Sequence, residues 1–177
     1  MKAPISSVLA LLIVSLLISA CGQQSTTRVS GYAMSPNYVE GDLVEVDFEA
    51  YKEQPIKRWE VVYVNDPKSG PNTKRTLRVV GLPGEVIKVS PFGLRINKER
   101  PNGLLLPHSH RIPRDETGFG ANEAFKVPEG SYYLLGDNAA SSRDSRHFGA
   151  VKAENVLGKV VTAPKQRADL KLSDFNK

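Results

Sequence analysis

The most regular pattern in the chain is Leu43-Val44-Glu45-Val46-Asp47-Phe48. Its alternation places Val44, Val46 and Phe48 on one face and predicts a half-buried strand. Trp59 to Val64 predicts a second strand. Thr76-Leu77-Arg78-Val79-Val80 predicts a third, which stops at Gly81-Leu82-Pro83-Gly84, where Pro and Gly close the ladder and turn the chain. Val86 to Val89 resumes the sheet, and Leu94 to Asn97 adds a short strand after Pro91-Phe92-Gly93. Ser131-Tyr132-Tyr133-Leu134-Leu135 ends in a turn signal at Gly136-Asp137-Asn138, and Val156 to Thr162 gives the last strand. Between these, Pro101 to Gly120 carries three prolines and three glycines without a clear period, so it reads as a long surface excursion. No stretch of about a dozen residues keeps helical spacing, so the expected fold is mainly β with few helices, coiled into a sandwich or barrel.

The N-terminus breaks this pattern. One charge at Lys2, an apolar stretch from Val8 to Leu17 and small residues up to Cys21 make a secretory leader. Ile5 to Ala20 is short for a bilayer span and contains serines, which argues against a permanent transmembrane anchor. Cys21 is the only cysteine, so no intrachain disulfide can form. Ile18-Ser19-Ala20-Cys21 resembles a bacterial lipobox, which implies cleavage before Cys21 and lipid on its sulfur and new amino group. Several acyl chains hold a protein at a membrane more firmly than one. The expected organisation is a lipoprotein-type signal peptide at 1–20, a polar tether at 21–29, a β domain at 30–164 and a polar, charged tail at 165–177. The expected location is a membrane-anchored lipoprotein facing the periplasm, or the outer surface of a single-membrane cell. Gly22, where enteric-type sorting uses Asp to retain a lipoprotein at the inner membrane, leans towards the outer one.

The chain of 177 residues, 40% of them hydrophobic, can bury one core, and its 24 Lys and Arg against 19 acidic residues leave a formal charge of +5. The basic residues are scattered instead of forming a stripe, which argues against a nucleic-acid partner. His108 and His110 would project from one face of an extended segment, but nothing nearby completes a metal site, so neither a metal nor another cofactor is expected. Tyr32 and Tyr38 flank a short turn at Ala33 and read as packing residues or as the lining of a groove.

Three stretches carry more specific information. They are Met34-x-Pro36 followed by Gly41-Asp42; Arg78-Val79-Val80-Gly81-Leu82-Pro83-Gly84-Glu85; and Gly136-Asp137-Asn138 with Ser142-x-Asp144-Ser145-Arg146-x-Phe148-Gly149. Their order and wording resemble the bacterial type I signal peptidases over roughly Ser30 to Thr162. The resemblance implies a coiled, barrel-like β sheet with a shallow groove, where an exported precursor lies extended and is cut after small residues. That family uses a serine before the Met of the first stretch and a lysine before the Arg of the second. Here those positions are Ala33 and Leu77. The resemblance further implies that Ser142 stands where a serine helps hold the lysine amine, with Met34, Pro36, Asp144 and Arg146 as scaffold and His147 at a variable position.

A serine hydroxyl attacks a carbonyl only when a base takes its proton, and lysine is that base only if burial keeps it neutral. Ala33 has no nucleophile and Leu77 accepts no proton, so the expectation is a peptidase-like protein without the reaction. Neighbours offer little. Ser30 and Ser35 flank Ala33. Lys74 stands at an odd offset from Leu77 and so on the opposite strand face, while Arg75 shares that face but stays protonated. Three functions follow: an inactive tethered protein whose groove binds extended peptide as an added strand; an active serine endopeptidase with a rearranged site at Ser30 or Ser35; or an accessory lipoprotein that docks a peptidase, secretion or conjugation component through Pro101 to Gly120.

Overall fold

The computed structural model describes residues 24–66, 68–70, 73–101 and 118–164. Ten strands are formed: β1 (Gln24–Arg28), β2 (Leu43–Asp47), β3 (Val61–Asn65), β4 (Lys74–Gly81), β5 (Val86–Ser90), β6 (Gly93–Ile96), β7 (Phe125–Lys126), β8 (Ser131–Leu135), β9 (Val151–Lys152) and β10 (Val156–Val160). The α-helix among the described residues, α1, spans only Ser145–Phe148. The fold is mainly β, as the alternation predicts. A seven-stranded sheet in the order β1-β2-β10-β3-β4-β8-β9 is accompanied by a three-stranded sheet in the order β6-β5-β7.

Alternation decides what each strand buries. In β2, Val44 and Val46 are buried and Leu43 and Glu45 exposed, and Phe48 follows the strand half-buried. β4 is buried from Thr76 to Gly81, so its two faces feed two cores. Leu77 and Val79 enter a cluster with Val62, Val64, Leu134 and Phe148, while Val80 joins Ile87, Val89 and Tyr133 beneath the small sheet. A third cluster gathers Met34, Tyr38, Val44, Val46 and Val160. Each such side chain contributes about 1.5–3 kcal/mol by leaving water.

One local reading differs from the sequence expectation. The stretch 21–29, expected as a tether, contains β1, which pairs with β2 from Gln24↔Asp47 to Arg28↔Leu43. Its side chains are mostly exposed, so no hydrophobic alternation announces it, and the partner strand's hydrogen bonds create it. The ladder of β8 against β4 covers only Arg78↔Leu135, Val79↔Leu134 and Gly81↔Tyr133. It therefore leaves the outer side of Lys74–Leu77 without a described strand. The Val79 backbone groups bond towards Glu60 and Trp59. By alternation, Thr76 and Lys74 turn theirs to the side without a described strand.

Cys21, the leader, His108, His110 and the tail from 165 lie outside the described residues, as does most of the excursion. Among the described residues no helix is long and apolar enough to cross a membrane, and no His, Cys, Asp and Glu group could hold a metal.

Candidate active site

Three segments meet around Ala33. The first is the turn from Gly31 to Asp42. Asp42 closes it by accepting the Val39 N–H at 3.0 Å on Oδ2, and Val29 N donates to the Asp42 carbonyl at 2.8 Å. Met34, 1% exposed, and Tyr38, 3% exposed, pack the turn into the Val44 and Val46 core. Tyr38 is thus a packing residue, its hydroxyl donating to the Thr162 carbonyl at 2.8 Å, while Tyr32 is exposed. Pro36 follows a cis peptide bond from Ser35.

The second segment is β4 at Arg78. Its side chain is buried, and a buried cation needs a partner. Nε and Nη2 donate to the two Asp137 oxygens at 2.7 Å each, and Nη1 donates to the Trp59 carbonyl at 2.9 Å. Burial alone would lower the guanidinium pKa, but the Asp137 carboxylate more than offsets it and the pKa is raised. Asn37 Nδ2 donates to the same carboxylate at 2.7 Å, which ties the turn, β4 and the third segment together. Sequence reasoning placed Arg78 and Asp137 only in motifs and missed Asn37. A cation inside an otherwise apolar strand was the available signal for the first two.

The third segment is the loop 136–149. Asp144 is fully buried: Oδ1 accepts from Arg146 N at 3.2 Å and Nε at 2.9 Å, and Oδ2 from Gly136 N at 3.1 Å and Arg146 Nη2 at 3.0 Å. Arg146 Nη2 also reaches the Ala139 carbonyl at 2.8 Å. The pair therefore fixes the loop from inside. Burial pushes the Asp144 carboxyl up, but the His147 and Arg146 side chains beside it pull it down to about 2. His147, given no role from sequence, caps α1: its Nδ1 accepts the Asp144 N–H at 3.2 Å, completing a reciprocal cap with the Asp144 side chain.

These segments bring Ala33, Gly136 and Ser142 into direct apposition. Asn138 N donates to the Ala33 carbonyl at 2.8 Å. A Cβ added at Gly136 would lie 2.2 Å from Ser142 Oγ and 2.6 Å from the Ala33 oxygen. Ser142 is 7% exposed, and its hydroxyl lies beside the Asp144 carboxyl, which it helps to hold down. Leu77 lies one residue before Arg78, opposite Val62, at 0% exposure in the apolar cluster that includes Phe148 of α1 and Leu134.

The neighbouring groups weighed as substitutes stand elsewhere. The Lys74 ammonium lies 5.9 Å from the Tyr63 ring centroid, on the side of the sheet that faces Val44 and Val46. Arg75 Nε is bonded at 2.7 Å to the buried Asp66, which Arg143 also approaches at 3.6 Å. Ser30 is exposed, and the buried Ser35 hydroxyl, 2% exposed, has no partner that could take its proton.

A coiled β fold with a turn, a strand and a loop converging in this way defines a protein of the signal-peptidase type. The chain belongs to the signal peptidase family, peptidase S26, whose profile matches residues 2–163. It is 32% identical over 148 residues to signal peptidase I V of Bacillus subtilis, covering 77% of this chain and 83% of that protein. It is 35% identical over 138 residues to signal peptidase I of Bacillus caldolyticus, covering 75% and 74%. A crystal structure of a signal peptidase I from Enterococcus faecalis is 30% identical, covers 62% of this chain and 98% of its own, and gives a TM-score of 0.48.

Proposed function

We propose that this chain is a signal-peptidase-like protein that does not perform the peptidase reaction, keeps an open strand edge for extended peptide, and is held at a membrane by lipid on Cys21. The observation that carries the reading is the burial of Leu77, at the family's base position, among apolar side chains, with Ala33 at the nucleophile position. A lysine amine buried at the base position would need a polar partner, and leucine needs none. The leucine side chain accepts no proton, which supports a site built for packing and not for proton transfer. The scaffold of Arg78, Asp137, Asp144 and Arg146 is complete without it, which supports a structural reason for their presence. The backbone groups of Thr76 and Lys74, which no described strand pairs on that side, supply the edge to which an extended peptide would add.

The test is cleavage of a preprotein with an Ala-x-Ala site by four proteins: the native chain, Ala33→Ser, Leu77→Lys and the double variant. The native chain and both single variants are expected to be inactive. The double variant is expected to cleave, since loss of one catalytic member costs on the order of a million-fold in a comparable hydrolase. Cleavage by the native chain would show a rearranged site and overturn the reading. Peptide binding is read separately, by saturation with a non-cleaved signal peptide, and absence of saturation removes the groove from the proposal.

A further inference from the structure

The small sheet has an outer face of one charge sign. Every charged side chain in β5, β6 and β7 is basic: Lys88, Arg95 and Lys126. The registers put them on one face. Lys88 stands directly opposite Arg95, and Val86, two residues before Lys88 on the same face, stands opposite Lys126. All three are exposed, whereas Ile87, Val89 and Leu94 on the other face are core. None of the three forms an ion pair with a carboxylate among the described residues. Glu99 and Glu123 lie nearby in sequence but outside these strands.

Like charges directly opposite each other on paired strands repel. The fold draws little from the pair: Arg95 donates from Nη1 to the Lys98 carbonyl at 3.0 Å. An anion between Lys88 and Arg95 turns the repulsion into attraction at both cations. Space for one exists, because Lys88, Ser90, Pro91, Phe92, Arg95 and Asn122 line an open cleft of about 390 Å³. Phe92 sits at the tip of the β5–β6 hairpin and is 65% exposed. A soluble phosphate would use the cations and not the exposed ring. A bilayer interface uses both, with headgroup phosphate at the cations and the aromatic ring at the acyl boundary.

We infer that the β5–β6 hairpin docks on an anionic lipid surface, with Lys88 and Arg95 at headgroup phosphates and Phe92 entering the interface. This contact is separate from the Ala33 site and from lipid on Cys21, and it sets how the domain lies on the membrane.

Because the N-terminus could hold the full chain at any vesicle, the test reads the hairpin itself. Phe92→Trp is introduced into the full chain, and its fluorescence is compared with that of the parent, which has one tryptophan, packed beneath the small sheet. Vesicles are phosphatidylcholine with or without phosphatidylglycerol. The expected result is a blue shift, with quenching by acyl-brominated lipid, only when phosphatidylglycerol is present. Adding Lys88→Glu with Arg95→Glu is expected to weaken the response at least about tenfold. Should that pair fail to match the parent's melting curve, Lys88→Gln with Arg95→Gln replaces it. The inference is overturned by equal spectra in the two vesicles or by a response that survives loss of both charges. A change produced by inorganic phosphate alone overturns it too, because the site would then be one for soluble phosphate.

Discussion

At the scale of single residues, Asp144 is expected to contribute to acid stability. Its carboxyl lies at about 2 in the fold against the ordinary 3.8, because the His147 and Arg146 side chains beside it outweigh the opposing effect of burial. A depressed folded pKa stabilises above the unfolded value and loses that stability as pH falls through the folded one. The contribution, about 2 kcal/mol, is therefore present above about pH 4 and lost towards pH 2. Asp144→Asn removes the charge but leaves Arg146 buried, so at neutral pH it is expected to cost about 3–5 kcal/mol. It should also flatten the acid limb in that window. Denaturant midpoints at several pH values check both. If the variant keeps the full acid limb, the dependence belongs to Glu60, Asp66 or Glu85, whose carboxyls are also lowered.

At the scale of elements, the loop 136–149 depends on how closely it passes the Ala33 turn. Gly136 has no room for a Cβ, since both the Ser142 hydroxyl and the Ala33 carbonyl would lie well inside contact distance. The Ala33 oxygen is backbone and is already bonded to Asn138 N. Gly136→Ala is thus expected to destabilise by at least about 1–3 kcal/mol, as overpacking does. An Ala139→Gly control in the same loop should leave the turn in place; amide exchange at Asn138 distinguishes the two, since only the first variant separates Asn138 from Ala33. The sequence shows Gly136 as a turn former and not its steric need, because the residues that crowd it lie far apart along the chain. Strands with one buried face, such as β2 and β5, were legible from alternation. β1 was not, having no apolar pattern, nor were β7 and β9, which are two residues long. α1 is too short to display a helical period, and its signal is the cap between Asp144 and His147. Ala33 and Leu77 became visible as candidate site positions only through the resemblance, since nothing in an alanine or a leucine suggests chemistry.

At the scale of the whole molecule, β1 changes how the domain relates to its anchor. If the domain began at Ser30, the nine residues of 21–29 would give about 30 Å of reach. Among the described residues the backbone is already paired at Gln24, three residues after Cys21, so the reach is at most about 10 Å. β1 is also an end strand of the large sheet, beside β2 and two positions from β10. A lipid on Cys21 would therefore hold this edge close to the bilayer, and the domain could not sample orientations freely as on a flexible linker. The prediction is that the mature N-terminal peptide begins at Cys21 and carries acyl mass, read by mass spectrometry of membrane-extracted protein. Cys21→Ala should abolish that mass and leave residues 1–20 attached, because the leader's cleavage depends on the cysteine in the lipobox reading. A native N-terminal peptide that starts at Met1 without lipid would assign anchoring to the apolar Val8–Leu17 segment itself. Inserting a Gly- and Ser-rich spacer of about ten residues after Gln23 then measures the consequence of the short connection. The Phe92→Trp hairpin signal on anionic vesicles should weaken with the spacer, since a longer linker lowers the effective concentration of the domain at the surface.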